Sequence, residues 1–180
     1  MEALRIPVGE GSVSALFIRP DDVLALFVFA HEAGAGMTHR SMQSNAEGLA
    51  ARGIATLRYQ FPYMERGSKR VDPPKIAHAA VRVAVAEAAR LAPHLPMFAG
   101  GRSFGGRMTS QAQAEQPLPG VRGLAFIGFP LHPAGKADVE RAEHLTRVQV
   151  PMLFVSGERD ALAETDLLRP MVANLGNRAV

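Results

Sequence analysis

Gly100-Gly101-Arg102-Ser103-Phe104-Gly105-Gly106 follows the short apolar run Pro96-Met97-Phe98-Ala99. One serine stands between two glycine pairs, where an apolar run gives way to a segment able to form a helix. Three loop chemistries use glycine at this density. A phosphate loop needs G-x-x-x-x-G-K-[ST]; Gly101 and Gly106 have the separation, but Arg107 and Met108 replace the lysine and the hydroxyl. A dinucleotide loop needs G-x-G-x-x-G after a strand. Gly34-Ala35-Gly36-Met37-Thr38-His39 lacks the third glycine, and Arg58-Tyr59-Gln60-Phe61 offers no acid at the end of the next strand. The third pattern, G-x-S-x-G, is met by Gly101-Arg102-Ser103-Phe104-Gly105. It seats a nucleophilic serine on a sharp, strained turn from strand to helix, with glycine wherever a side chain would collide. The plain alternative is a glycine-rich turn with an inert serine, and the surrounding elements must decide.

Those elements alternate. Leu4 to Val8 and Ser12 to Ile18 read as strands about the turn Gly9-Glu10-Gly11. Val23 to Ala30 (VLALFVFA) is apolar on both faces, the pattern of a strand inside a sheet covered on both sides. Helix is then expected over Ser41 to Arg52, strand over Ile54 to Phe61, and a long alanine-rich helix from Pro73-Pro74 to Leu91. Ala77, Val81, Ala84, Ala88 and Leu91 form its buried stripe. Strand is expected over Met97 to Gly100, helix over Ser103 to Glu115, and strand over Val121 to Phe129. A short helix over Ala137 to Thr146, strand over Met152 to Ser156 and helix over Leu162 to Leu175 complete the pattern. This alternation predicts an α/β fold, a mostly parallel sheet with helices on both faces, in one domain over residues 1–180. Chemistry in such sheets gathers at the carboxyl ends of the strands.

Composition narrows the classes. The chain has 180 residues, 47% hydrophobic and 21% charged, which suits a globular core. A formal net charge of +3, spread along the chain, gives no nucleic-acid footprint, and Arg66-Gly67-Ser68-Lys69-Arg70 reads as a solvated loop. Without cysteine there is no disulfide or thiolate chemistry. No signal-peptide pattern and no apolar run of membrane-spanning length is visible, so a cytoplasmic location and no membrane partner are expected. No metal or other cofactor is implied, and the oligomeric state is not legible.

A serine at 103 needs an oxyanion hole and an acid. One donor would be the N–H of Phe104; the other would come from His31-Glu32-Ala33-Gly34-Ala35-Gly36-Met37, with Ala33 and Gly34 equally eligible. Asp160, after the strand at Met152 to Ser156, stands where a triad acid belongs; its competing role is a cap for the following segment.

These motifs together resemble the α/β-hydrolase superfamily, and within it the small lidless members related to dienelactone hydrolase, in the KANL/TEX-like group. The resemblance rests on HEAGAGM (His31 to Met37), FPYMERG (Phe61 to Gly67), GGRSFGGRM (Gly100 to Met108), GFPLHPAGK (Gly128 to Lys136) and VSGERD (Val155 to Asp160). It implies Ser103 as nucleophile, Asp160 as acid, and His31, Tyr63 and His132 on loops around a pocket for a small acyl substrate. Two departures stand out. The usual His-Gly of the oxyanion loop is His31-Glu32 here, and dienelactone hydrolase itself carries cysteine at the elbow.

The resemblance also puts the catalytic histidine after the acid, and none of the six histidines follows Asp160. The last strand, its histidine loop and a terminal helix are thus expected to be missing. Three explanations stand: a C-terminally incomplete hydrolase, a non-catalytic binding or scaffold module on the same fold, or a displaced base, His31 or His132. His39 and His144 read as exposed, His78 as the outer face of a helix, and His94 as lying at the wrong end of the sheet.

Overall fold

The computed structural model describes all 180 residues. Seven strands form one sheet: β1 (Glu2–Val8), β2 (Gly11–Ile18), β3 (Ala25–Ala30), β4 (Ile54–Tyr59), β5 (Met97–Arg102), β6 (Val121–Ile127) and β7 (Met152–Val155), in the order β1-β2-β4-β3-β5-β6-β7. β1 and β2 form an antiparallel hairpin, and β2 also meets β4 antiparallel. From β4 onward every pair is parallel. The helices are α1 (Arg40–Ala50), α2 (Pro62–Glu65), α3 (Pro74–Leu91), α4 (Phe104–Glu115) and α5 (Thr165–Asn174), with a 3₁₀ segment at Glu140–Arg147.

The pleat of β3 divides the core. Leu26, Val28 and Ala30 join the larger cluster, with Ala77, Val81, Ala84 and Ala88 of α3 and Met108 and Ala112 of α4. Phe27 and Phe29 point the other way, onto Met42 of α1. Burial on both faces is why this strand reads as a continuous apolar run. α1 covers only part of its face. Beside it Phe27, Phe98, Ile127, Leu153 and Val155 line an open apolar groove of about 430 Å³. No helix is long and apolar enough to cross a membrane.

Several expectations need correction. The segment expected as a helix over Ala137 to Thr146 is instead a 3₁₀ segment over Glu140–Arg147, which buries Ala142, His144 and Leu145. Its His144 is buried, and so is His78 of α3; both face α4, where His144 Nε2 lies 2.7 Å from Ser110 Oγ and His78 Nδ1 lies 3.0 Å from Glu115 Oε2. Nor is the sheet bare beyond β7. Val180 N–H donates to Met152 O and Phe154 N–H donates to Val180 O, so Ala179 and Val180 run parallel along that edge.

Candidate active site

The carboxyl ends of β3, β5, β6 and β7 lie side by side. Ala30 pairs with Gly101, Arg102 with Ile127, and Ile127 with Val155. The next residues on each strand therefore converge: His31 and Glu32, Ser103, Gly128, and Ser156 to Asp160.

Ser103 joins β5 to α4 at φ 44°, ψ −114°, and it is the only non-glycine residue with positive φ. A Cβ at this φ crowds the backbone, so the surroundings must over-determine the conformation. The glycines show how. A Cβ at Gly101 would stand 2.3 Å from Ala30 O, one at Gly105 2.5 Å from His31 O, and one at Gly106 2.9 Å from Gly101 O. The helix thus starts in backbone contact with the end of β3, and no side chain fits at these positions. Ser103 N–H donates to Ile127 O at 3.0 Å, which pins the turn to β6. As N-cap of α4 the serine would ordinarily turn its hydroxyl onto the helix N–H groups, but here it makes no capping bond. The serine is half-buried, and the Phe104 N–H opens the first turn of the helix.

His31 is buried with both ring nitrogens engaged. Nδ1–H donates to Glu32 O at 2.8 Å, and Nε2 accepts the Phe61 N–H at 3.0 Å. Burial holds its pKa down at about 4, so the ring is neutral. It anchors the base of the loop over residues 31–37 within an aromatic cluster, edge-on to Phe61 at 4.9 Å, while Phe61 and Tyr63 in turn pack on Phe104. Tyr63 is held by Asp72, whose Oδ2 accepts the Tyr63 N–H at 2.7 Å while Oδ1 accepts from Arg66 Nη2. Asp72 is buried, and the only sign of its role in the sequence is an acid directly before Pro73-Pro74. The Tyr63 hydroxyl accepts the Gly34 N–H at 3.3 Å. Of the two eligible donors in this loop, Gly34 is thus turned to Tyr63, and Ala33 is the one whose N–H has no partner in the chain.

Asp160 takes the capping role, and one of its carboxylate oxygens stays clear of the cap. Oδ1 accepts the Leu162 N–H at 3.0 Å, a cap on the following turn, while Oδ2 sits 3.1 Å from where a Gly128 Cβ would be. Arg102, Gly128, Ser156, Glu158, Arg159 and Asp160 line a polar groove of about 700 Å³ beside the carboxyl ends of β6 and β7. His132, after β6, is buried and does not enter that groove. Its Nδ1–H donates to Pro133 O at 2.9 Å and Nε2 meets Glu164 Oε2 at 2.5 Å. The Pro133 carbonyl first, and the Glu164 carboxylate second, raise its pKa. His39 caps α1, and exposed His94 precedes β5, at the opposite end of the sheet. No histidine is hydrogen-bonded to Ser103 or Asp160. The described residues hold no cluster of metal-ligating side chains.

Glu32 and Arg102 were not expected to meet. The Arg102 Nε lies 3.2 Å from Glu32 Oε1, both side chains being half-buried.

A family model described as "Alpha/beta hydrolase domain" matches residues 23–178. Among solved structures, an α/β serine hydrolase homologue from Coxiella burnetii superposes with a TM-score of 0.81 at 18% identity, over 99% of this chain and 84% of that one. A member of the α/β serine hydrolases without lid from Xanthomonas campestris gives 0.77 at 19% identity, over 99% and 81%. Dienelactone hydrolase from Anabaena variabilis gives 0.76 at 21% identity, over 99% and 80%.

Proposed function

Because the chain belongs to the alpha/beta hydrolase domain family, we propose that it is a serine hydrolase acting on esters or related small acyl compounds through an acyl-enzyme on Ser103. The strained turn at Ser103 carries this reading: it is the one residue forced into φ 44°, in a cradle of glycines no side chain could enter. Ser103 Oγ would attack the acyl carbon. The carbonyl electron pair would move onto oxygen, held by the N–H groups of Phe104 and Ala33. The serine proton would pass to an imidazole and from it to the departing alcohol as the intermediate collapses; water, giving its proton to the same imidazole, would then release the acid, and the serine would regain that proton. Asp160 would orient an imidazole placed in the polar groove beside Gly128.

The base is the weak part of the constellation. His31 is neutral but has both nitrogens committed, and His132 is paired with Glu164. In a comparable triad, loss of the histidine costs on the order of 10⁶ in kcat. The 180-residue chain should accordingly hydrolyse p-nitrophenyl acetate hardly at all. The same commitment of the histidines favours a second reading, a binding or scaffold module that retains the pocket without turnover. A fluorophosphonate probe separates the two. Under mildly alkaline conditions with added imidazole, a hydrolase gives one adduct, on Ser103, which Ser103→Ala abolishes. A binding module gives no adduct, or adducts scattered over surface serines.

The structural neighbours described as serine hydrolases support acyl transfer in general and leave the acyl group open. Between β6 and β7 the chain carries only loops and the 3₁₀ turn, so the mouth is uncapped and a small substrate would enter directly from solvent. A cytoplasmic location, absence of nucleic-acid partners and absence of a cofactor remain part of this proposal.

A further inference from the structure

An oxyanion hole of Ala33 and Phe104 N–H groups is built from two segments that no covalent link or backbone ladder joins at that point. Phe104 is fixed by the elbow. The other segment is weakly held: Ala33 and Gly34 are exposed, Gly34 has φ 77°, and its N–H bond to Tyr63 is long at 3.3 Å. A displaced donor contributes little to a developing oxyanion, so something must set the distance between the two segments.

Glu32 is in position to do so. It directly precedes Ala33, and Arg102 directly precedes Ser103. Their side chains meet at 3.2 Å. The contact is ionic rather than a well-aligned hydrogen bond, because Arg102 Nε is shielded from water and has no aligned acceptor. The same Glu32 oxygen also accepts from Ser41 Oγ at 3.4 Å, in the first turn of α1, and the Glu32 carbonyl accepts from His31 Nδ1–H at 2.8 Å. Glu32 is therefore tethered at its backbone to the core, and at its carboxylate to both α1 and the elbow. A glycine at position 32 could make none of the carboxylate contacts.

We propose that the Glu32–Arg102 pair is a strap across the oxyanion hole, with Glu32 and Arg102 as positioning residues that hold the Ala33 N–H at its working distance from Phe104. This rests on the hydrolase reading above. The strap acts on the charged, tetrahedral stage of the reaction and leaves probe binding alone.

The test is the rate of Ser103 phosphonylation in the 180-residue chain by a fluorophosphonate with imidazole present, resolved into apparent probe affinity and maximal rate. Glu32→Ala and Arg102→Met should each lower the maximal rate by about tenfold, short of the ~10²–10³ that deleting an oxyanion donor costs. Affinity and melting temperature should stay near wild type. Glu32→Gln, which keeps the size of the side chain but removes the charge of an ionic contact, should lower the rate as Glu32→Ala does. Should Glu32→Ala melt below the assay temperature, Arg102→Met makes the same comparison from the other end of the strap. A folded variant that labels at the wild-type rate, or loses affinity instead of rate, overturns the strap alone. Absence of any Ser103 adduct in the wild type overturns the hydrolase reading and the strap with it.

Discussion

Ser103 carries a backbone cost that stability alone would remove. A non-glycine residue at φ 44° is disfavoured by roughly 1–3 kcal/mol, and the surrounding contacts over-determine it. Glycine tolerates this φ, whereas alanine keeps the Cβ that makes it costly. Ser103→Gly should therefore be more stable than Ser103→Ala by about 1 kcal/mol, read as a higher urea midpoint at unchanged slope. Equal midpoints would mean the turn is relaxed and not held under strain. At this scale the sequence was informative about Ser103, because G-x-S-x-G at a strand-to-helix junction has few physical meanings. It was silent about Glu32 and Arg102. Each is an ordinary charged residue in its own neighbourhood, and only the pairing of Ala30 with Gly101 brings the two segments together.

Among the elements, those with strong periodicity were legible: the two-faced apolar run of β3, the alanine stripe of α3, and the strands closed by glycine or proline. Elements set by tertiary contact were not. α2 has four residues and no room for a period, and the 3₁₀ segment buries only Ala142, His144 and Leu145, too few to set one. His78 and His144 read as surface residues because their covering partner, α4, is remote in sequence. α5 shows how such contacts hold an element: it buries no residue completely, and its entry is tied to the β6 loop by the His132–Glu164 pair. The pKa of His132 is raised and that of Glu164 lowered. The histidine contribution is thus complete below the ordinary imidazole pKa of about 6.5 and lost as pH rises through the raised value. The glutamate contribution is present above its ordinary value and lost as pH falls through the lowered one. The clamp should be tightest in mildly acidic solution. An NMR titration of the His132 ring should give a midpoint above about 6.5 that drops in Glu164→Gln, with part of the rise surviving through Pro133 O. A midpoint at or below the ordinary value in the wild type would show that the pair does not form.

For the whole molecule, two histidines oppose the clamp. His31 and His144 are buried and neutral, each with a pKa lowered to about 4 mainly by burial. Because the unfolded chain binds their protons at about 6.5, stability is complete above that pH and declines as pH falls towards 4, by on the order of 3 kcal/mol for each ring. Urea midpoints should therefore fall steeply between neutral pH and pH 4.5, and His144→Gln should flatten the slope; a profile unaffected by that change would contradict the assignment. The fold class and the convergence of strand ends were both foreseeable from alternation. The open apolar groove beside α1 was not, because burial on the second face of β5, β6 and β7 depends on what packs there and not on the strands themselves. The central claim is the proposal that Ser103 is a nucleophile, Phe104 and Ala33 its oxyanion donors and Asp160 its acid, at a site where no histidine is hydrogen-bonded to Ser103 or Asp160. Its most direct test is the rate of Ser103 phosphonylation as imidazole is added. The account predicts slow labelling alone, an acceleration by imidazole that Asp160→Asn weakens, and no adduct in Ser103→Ala. Rapid labelling that imidazole leaves unchanged, or no Ser103 adduct at any imidazole concentration, would contradict it.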